Sequence, residues 1–160
     1  MKRVLFVCMG NICRSPAAEI VFRRIVDEAG ASERYEIDSA GTIGFHEGKA
    51  PDSRMQEQLK GRGGYEISGK SRQIQAADLD RFDIILTMDE ENYSDVKGLN
   101  SQLATKVVPF VKFLKNHSEP RIPDPYYGGD EGFSYVVDLL EDGCYALFSE
   151  LEKSENFLRK

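Results

Sequence analysis

Cysteine and histidine are scarce in this chain, which argues against a disulfide-rich or a metal-binding protein. Its 160 residues include three cysteines and two histidines. A small, odd number of cysteines provides no disulfide framework and is typical of a protein from the reducing cytoplasm. The histidines, His46 and His117, are too isolated to suggest a metal site. We therefore predict no metal and no cofactor, and we expect both histidines on the surface.

Long apolar runs and an excess of positive charge are also absent. No apolar segment approaches the roughly 20 residues that a membrane-spanning helix needs, and the N-terminus has no signal-peptide pattern. The formal net charge is −6, with no obvious basic face. We expect a cytoplasmic protein that binds neither membranes nor nucleic acid. The length predicts a single domain over residues 1–160, and we expect it to be a monomer.

A cysteine at the end of the first apolar run is the most informative feature that is present. Residues 4–7 form a continuous apolar stretch, which is typical of a strand buried on both faces of a parallel sheet. Cys8 follows this run, and Arg14 stands six residues later. Gly10 and Asn11 tolerate positive φ, so the chain can curl back on itself after the strand. The pattern predicts a tight turn that holds a thiol and a guanidinium.

A helix start follows this turn. Ser15 is a good N-cap, and Pro16 suits the first helical position because its missing N–H has no partner there. A helix N-terminus that follows a glycine-containing loop directs backbone amides and a positive dipole end at one point. We therefore predict a phosphate-binding loop, called the phosphate loop below, made of Met9, Gly10, Asn11, Ile12, Cys13, Arg14 and Ser15.

The chemistry expected of Cys8 follows from this arrangement. A free thiol has a pKa of about 8.5, and positive surroundings at a helix N-terminus favour the nucleophilic thiolate. Arg14 offers a planar set of donors that matches phosphate oxygens. Ser15 is in position to donate a hydrogen bond to the sulfur. We therefore predict Cys8 as a nucleophile that attacks phosphorus.

Attack by a thiolate requires an acid that protonates the departing oxygen. Asp124 is the preferred candidate, because Pro123 and Pro125 fix the backbone on either side of it. Two aromatic residues, Tyr126 and Tyr127, follow at once.

Apolar runs and helical patterns alternate along the chain. Asp52 or Ser53 is the expected N-cap of the second helix. We predict strands at 2–8, 35–40, 81–87 and 105–109, and helices at 16–29, 52–61, 89–97 and 133–153. This alternation predicts an α/β protein with three α/β/α layers, a four-stranded parallel sheet and the phosphate loop after strand 1. The phosphate loop and the segment around residue 124 would then share the carboxyl edge of the sheet.

The two ends of the chain together resemble the low-molecular-weight protein tyrosine phosphatase family, in particular its bacterial-type members. The family's phosphate loop is similar to residues 8–16 (CMGNICRSP), and its late acid segment is similar to residues 124–127 (DPYY). Residues 39–42 (SAGT) and 88–90 (MDE) also fall where the family has similar stretches. The resemblance covers nearly the whole chain.

This resemblance implies hydrolysis of phosphotyrosine and aryl phosphates through a phosphocysteine intermediate. It implies that Cys8 is the nucleophile, that Arg14 and the loop amides bind the phosphoryl oxygens, and that Asp124 acts first as acid and then as base. The implied partners are tyrosine-phosphorylated proteins, with phosphate or other oxyanions as inhibitors. The implied walls of a slot for a phenyl ring are Ile12, Phe45, Tyr126 and Tyr127.

Gly69 departs from the family pattern. Many relatives have a histidine at this position, which helps to hold the loop asparagine, and here the stretch reads GKSRQ over residues 69–73. Support for Asn11 is therefore absent or comes from Ser71 or Ser68.

Cys13 is a candidate redox partner of Cys8, because it follows five residues later in a loop that curls. Our hypothesis is that it captures oxidised Cys8 reversibly. Cys144 lies on the apolar face of the last helix and is expected in the core.

Three other functions stay open. A protein arginine phosphatase on the same fold typically has a threonine where this chain has Ile12, whose apolar side chain favours an aryl substrate. An arsenate reductase of similar fold needs further cysteines near residues 80–89, and none is there. A non-catalytic phosphopeptide-binding module would be expected to lack Cys8 or Asp124.

Overall fold

A four-stranded parallel sheet forms the centre of the molecule. The computed structural model describes residues 1–153, except for the side chain of Tyr127. The strands follow the order β2-β1-β3-β4 and are Lys2–Cys8 (β1), Tyr35–Gly41 (β2), Ile84–Thr87 (β3) and Val107–Pro109 (β4). Every pairing is parallel, so the carboxyl ends of the strands meet at one edge. The predicted fold class is confirmed.

Helices follow or connect the strands. The α-helices of the described residues are Arg14–Glu28 (α1), Ser53–Arg62 (α2), Ala76–Arg81 (α3), Glu90–Lys97 (α4) and Asp130–Lys153 (α5). Short 3-10 segments lie at Ser32–Arg34, Ser101–Lys106, Phe110–Phe113 and Pro125–Tyr127. Within residues 1–153, no helix has the length and apolar character needed to cross a bilayer.

The sheet separates two hydrophobic cores, and its strand β1 contributes side chains to both. The side chains of β1 alternate between the two faces of the sheet, as a strand requires. Val4 and Phe6 belong to the larger core, which includes residues of α1, α2 and α5. Leu5 and Val7 belong to the smaller core, which includes residues of α3 and α4. Both faces of β1 are therefore buried, which explains its continuous apolar sequence.

Two predicted strand boundaries are wrong. The strand predicted at 81–87 begins only at Ile84, because residues 76–81 form helix α3. This short helix is stabilised by Asp78, which accepts the backbone N–H of Gln75 at 2.7 Å. The strand predicted at 105–109 is shorter, because Ser101–Lys106 forms a 3-10 segment.

The predicted start of α1 is also wrong. The helix begins at Arg14, so Cys13 is the N-cap residue and Ser15 lies inside the first turn. The hydroxyl of Ser15 contacts Cys8 and Asn11 instead of capping the helix. Pro16 is the third helical residue instead of the first, and it is accommodated there because the first four N–H groups of a helix have no intrahelical partner.

Candidate active site

The phosphate loop lies at the carboxyl edge of the sheet, directly after β1. The chain reaches β2 on one side of β1 and β3 on the other. Such a reversal in strand order leaves a crevice where α/β proteins bind ligands. The start of α1 points its N-terminus into this crevice, as expected for an anion site.

Neighbouring segments hold the carbonyl groups of the phosphate loop from the outside. Two donors come from the chain after β2: Thr42 N–H donates to the Cys8 carbonyl at 2.9 Å, and Ile43 N–H donates to the Met9 carbonyl at 3.1 Å. Ser71 Oγ donates to the Gly10 carbonyl at 3.1 Å, and Asp52 N–H donates to the Ile12 carbonyl at 2.8 Å. In a planar trans peptide the following N–H points the opposite way. The amides that follow these carbonyls therefore face the inside of the turn. One of them, Asn11 N–H, lies 3.3 Å from Cys8 Sγ.

Asn11 is the residue that reverses the direction of the loop. It has φ of 57°, a left-handed conformation that asparagine adopts more readily than most residues. Its Oδ1 accepts the backbone N–H of Arg72 at 3.0 Å. Its Nδ2 donates to Ser15 Oγ at 2.8 Å and to Ser39 Oγ at 3.0 Å. The side chain thus ties the loop to α1, to β2 and to the segment at 72.

The expected replacement for the family histidine needs correction. Ser71 does not support Asn11; its hydroxyl donates to the Gly10 carbonyl. Ser68 is exposed. Asn11 is held instead by the backbone N–H of Arg72, which donates to its Oδ1, and by the hydroxyl of Ser39, which accepts from its Nδ2.

The Cys8 sulfur is buried at the bottom of the loop. Ser15 Oγ lies 3.0 Å from Sγ, and the side chain of Cys8 points to the N-terminal end of α1. Hydrogen bonds and a helix N-terminus both favour a negative sulfur. The site therefore provides what a thiolate nucleophile requires.

Arg14 connects the loop with two acidic residues. Its guanidinium donates to Asp89 Oδ2 at 2.7 Å and to the Ile122 carbonyl at 3.0 Å, and lies 3.7 Å from Asp124 Oδ2. Burial works against the charge of Arg14, but Cys8 and the two carboxylates outweigh it and raise its pKa. The guanidinium is therefore fixed, charged and aimed at the site.

Asp124 lies near the Arg14 guanidinium and lines the same cavity. Its side chain is about one-third exposed (33%), and its Oδ1 accepts the Tyr126 backbone N–H at 3.0 Å. Arg54 of α2 donates to the Tyr126 carbonyl at 3.0 Å and lies 5.2 Å from the centre of the Tyr126 ring. The acid segment is thus attached to α2 while its carboxyl group stays accessible.

A cavity of about 200 Å³ opens between these elements. The structure brings Cys8, Arg14 and Asp124 to its walls, together with the predicted slot residues Ile12, Phe45 and Tyr126. The side chain of Tyr127 lies outside the described part of the structure. Phe45 is 79% exposed, so it forms the outer rim of the opening and not a buried wall.

The sequence interpretation missed the position of His46. We expected a surface residue, but the imidazole is half-buried and lines the cavity. Its ring packs edge-on against Phe45, with ring centres 4.9 Å apart. Its Nδ1 is buried and has no hydrogen-bond partner among the described residues. The proximity to Phe45 in the chain was the one signal that could have placed it here.

His117 also differs from the expectation of a surface residue. It is half-buried, and its Nδ1 lies 2.9 Å from Asp142 Oδ2. Among residues 1–153, no group of three histidine, cysteine or acidic side chains could hold a metal ion.

The other two cysteines differ in their access to the site. Cys13 lines the same cavity as Cys8, and burial, followed by the nearby Asp52, raises the pKa of its thiol. Cys144 is fully buried in the larger core, as expected, and its thiol donates to the Ala18 carbonyl at 3.7 Å.

Known proteins are similar to this chain both in sequence and in fold. A sequence profile of the low molecular weight phosphotyrosine protein phosphatase family matches residues 3–156. The human member is 41% identical over 152 residues, which cover 93% of this chain and 95% of the human protein. A Bacillus subtilis low molecular weight protein-tyrosine-phosphatase is 39% identical over 160 residues, which cover 97% of this chain and 99% of that protein.

A solved structure gives the same result. The crystal structure of a protein tyrosine phosphatase from Entamoeba histolytica, with Hepes in its active site, superposes with a TM-score of 0.93. It is 42% identical and covers 97% of this chain and 99% of its own. The chain therefore belongs to the low molecular weight phosphotyrosine protein phosphatase family, and it is an enzyme of the protein tyrosine phosphatase class.

Proposed function

We propose that this phosphatase hydrolyses phosphotyrosine in proteins through a phosphocysteine intermediate on Cys8. The observation that carries the proposal is the convergence of Cys8, Arg14 and Asp124 on one cavity, although Asp124 lies more than a hundred residues from the others. A nucleophile, an anion-binding guanidinium and an acid around one cavity are the groups that phosphoryl transfer needs.

In the first step, the Cys8 thiolate attacks phosphorus and the bond from phosphorus to the tyrosine oxygen breaks. The inward-facing loop amides and Arg14 bind the phosphoryl oxygens and stabilise the charge that develops on them. Asp124 donates its proton to the leaving phenolate oxygen. Ser15 donates a hydrogen bond to the sulfur, which favours the thiolate both before attack and as a leaving group.

In the second step, water hydrolyses the intermediate. Asp124, now ionised, accepts a proton from a water molecule, whose oxygen forms the new bond to phosphorus. The bond from sulfur to phosphorus breaks, and the electron pair returns to Cys8 as thiolate. Phosphate is released and the enzyme regains its starting state, with Asp124 protonated for the next cycle.

The cavity walls favour an aryl substrate. Ile12, Phe45 and Tyr126 provide apolar and aromatic walls in the cavity that Cys8 also lines. A phenyl ring fits such walls, whereas the guanidinium of phosphoarginine gains less from the apolar Ile12. Arsenate reduction is disfavoured because Cys13 is the one further cysteine at the site and Cys144 is fully buried elsewhere.

The cellular setting belongs to the same proposal. Free, buried cysteines suit a reducing cytoplasm, and a monomer of one domain is sufficient because every proposed catalytic group comes from one chain. The substrates would be tyrosine-phosphorylated proteins. Phosphate and other oxyanions would inhibit, as Hepes, a sulfonate, occupies the active site of the Entamoeba histolytica relative.

We also propose that Cys13 protects Cys8 from irreversible oxidation. Peroxide would convert the Cys8 thiolate to a sulfenic acid, and the Cys13 thiol would attack that sulfur to form a disulfide with loss of water. Thiol reductant would regenerate both cysteines. Activity after peroxide and then reductant should recover in the wild-type enzyme and not in Cys13→Ser. Equal recovery in both would exclude this role.

The test of the proposed function is turnover of matched phosphotyrosine, phosphoserine and phosphoarginine peptides, with arsenate reduction measured alongside. We expect the phosphotyrosine peptide to be hydrolysed with the highest kcat/KM, and we expect the rate to survive a metal chelator. Faster hydrolysis of phosphoarginine, or arsenate reduction with thiol as reductant, would replace the proposed substrate class. Binding without any turnover would identify a phosphopeptide-binding module.

A further inference from the structure

A buried carboxylate lies behind the phosphate loop, away from the substrate cavity. Glu19, on the second turn of α1, is 7% exposed. Its Oε1 accepts the hydroxyl proton of Ser39 at 2.7 Å, and its Oε2 accepts from Arg23 at 2.7 Å. Burial raises the pKa of Glu19, and these two donors act in the opposite direction. Glu19 is not among the residues that line the cavity at which Cys8, Arg14 and Asp124 meet.

A count of the protons shows how Glu19 is connected to Cys8. Asn11 Oδ1 accepts the Arg72 N–H, so the Nδ2 amide protons must point to Ser15 and Ser39. Each serine hydroxyl therefore receives one proton from Asn11 and has one proton of its own to donate. Ser39 donates its proton to Glu19.

Ser15 donates the remaining proton. Its Oγ lies 3.0 Å from Cys8 Sγ and 3.4 Å from the Ala40 carbonyl. Since Asn11 already donates to this oxygen, Ser15 must act as the donor to one of these two acceptors, and the sulfur is the nearer. Two chains of hydrogen bonds therefore start at Asn11. One passes through Ser39 to the Glu19 carboxylate, and the other passes through Ser15 to the Cys8 sulfur.

We infer that Glu19 is a positioning residue that, together with the Arg72 N–H, fixes the direction of the hydrogen bonds reaching the Cys8 sulfur. A carboxylate can only accept, so it forces Ser39 to donate away from Asn11 and to accept from it. The Arg72 N–H already holds Asn11 Oδ1, and the Glu19 acceptor adds a second constraint in the same sense: once Ser39 donates to Glu19, it can only accept from the Asn11 NH2 group. With the amide reversed, Ser15 would donate to Asn11 Oδ1, and the sulfur would lose its donor. This inference rests on the proposed role of Cys8 as nucleophile.

Gly69 leaves a small space beside Glu19 and Asn11. It has φ of 97°, and a Cβ placed there would lie 4.0 Å from Glu19 Oε1. The space at this point is a niche of about 10 Å³ next to Asn11 and Ser39, without a side chain from position 69. Ser39 therefore provides the described contact between Glu19 and the loop asparagine.

The experiment compares two variants that remove this contact with one that does not. Glu19→Leu removes the acceptor, and Ser39→Ala removes the hydroxyl between Glu19 and Asn11. Arg23→Met is the matched control, because it removes the other partner of Glu19 and leaves the Ser39 contact. The readout is the pH dependence of Cys8 alkylation by iodoacetamide, followed by mass spectrometry of the Cys8 peptide, together with kcat/KM for p-nitrophenyl phosphate.

We expect Glu19→Leu and Ser39→Ala to move the midpoint of the alkylation profile to higher pH. Because one hydrogen bond to a charged group is weakened, kcat/KM should fall on the order of ten-fold. In the Ser39→Ala background, adding Glu19→Leu should have little further effect on the profile. Arg23→Met should keep the wild-type profile even if it melts at a lower temperature.

Superposition of the Ser39→Ala profile on that of the wild type would overturn the inference, whether or not Glu19→Leu folds. An equal shift in Arg23→Met would overturn it too, because the ion pair and not the acceptor would then control the sulfur. The alkylation profile reports on the sulfur without turnover. A failure of the proposed phosphatase mechanism would appear instead as wild-type activity that survives Cys8→Ser.

Discussion

Two buried carboxylates show how the same side chain serves different purposes in two regions. Glu19 accepts from a hydroxyl and a guanidinium behind the phosphate loop. Asp142, on α5, accepts three backbone N–H groups of residues 115–117 and lies 2.9 Å from the ring of His117. Its side chain is 4% exposed. Both carboxylates are shielded from water, but their donors are of different kinds.

The two carboxylates differ in whether their donors can also accept a hydrogen bond from another group. Burial acts to raise the pKa of Asp142, but the His117 side chain and the backbone amides of Lys115 and Asn116 outweigh it, so its pKa is lowered. Backbone amides have one proton and a fixed direction, so the effect of Asp142 ends at the loop that it holds. Hydroxyls can donate and accept, so the effect of Glu19 continues to the Cys8 sulfur. Changes near Glu19 should therefore affect catalysis, and changes near Asp142 should affect stability.

The largest effect is expected at the nucleophile itself. Cys8→Ser should abolish turnover, because a serine hydroxyl at this site is a far weaker nucleophile than a thiolate. The loop amides and Arg14 are unchanged, so phosphate should still bind, and calorimetry can measure this. Turnover by the serine variant above background would place the nucleophile elsewhere.

The next largest effect is expected at the acid. Asp124→Ala should lower kcat by about 10²–10⁴-fold for phosphotyrosine, whose leaving group needs a proton. The loss should be smaller for p-nitrophenyl phosphate, because its leaving group needs less protonation. The measurement is kcat of the wild type and of Asp124→Ala with each of the two substrates. Equal losses would show that Asp124 is not the acid.

In the Asp142 region the expected effect is on stability alone. Asp142→Asn places an amide NH2 against backbone N–H groups and should lower the free energy of unfolding by about 1–3 kcal/mol. Urea unfolding measures this, with exposed Glu150→Gln on the same helix as control. The value of kcat/KM should stay within two-fold of wild type, a rough bound for a site distant from the chemistry. A large loss of kcat/KM would remove the contrast between the two regions.

The smallest effect is the pH dependence of stability, which should have opposite signs at the two sites. The lowered pKa of Asp142 gives a stabilising contribution above its ordinary value of 3.8, which is lost as pH falls through the folded value. The raised pKa of Glu19 gives a contribution present below 4.5, which is lost as pH rises through the folded value.

Unfolding of Asp142→Asn and Glu19→Gln against wild type over a series of pH values tests these signs. On acidification, the stability advantage of wild type over Asp142→Asn should shrink. Over the same range, the stability of wild type relative to Glu19→Gln should rise. Trends of the same sign in both variants would contradict the assignment.

The parts of the molecule that could be predicted depend on residues close together in the sequence. The apolar run before Cys8, the fixed spacing to Arg14 and the prolines around Asp124 each act over a few residues. They predicted the buried strand, the turn and the acid segment, and the parallel topology then brought the segments to one edge. Asp52 as N-cap of α2 was likewise readable, and its side chain accepts the Arg54 N–H.

The parts that were missed depend on contacts between distant segments. Ser15 was predicted as a helix cap because no local pattern indicates that its hydroxyl forms hydrogen bonds with Asn11 and Cys8. Helix α3 was missed because it is six residues long and begins after Gln75, a weak N-cap. His46 and the link from Ser39 to Glu19 required the folded chain, since neither has a spacing that marks it.

Trapping of the intermediate tests the central claim most directly. Asp124→Ala should form the phosphocysteine quickly from p-nitrophenyl phosphate and hydrolyse it slowly, because the base for water is missing. Rapid denaturation during turnover, followed by peptide mass spectrometry, should find one phosphoryl group on the peptide that contains Cys8, and none in the Cys8→Ser variant. A phosphoryl group on another residue, or turnover with no phosphorylated enzyme at any time, would contradict the account.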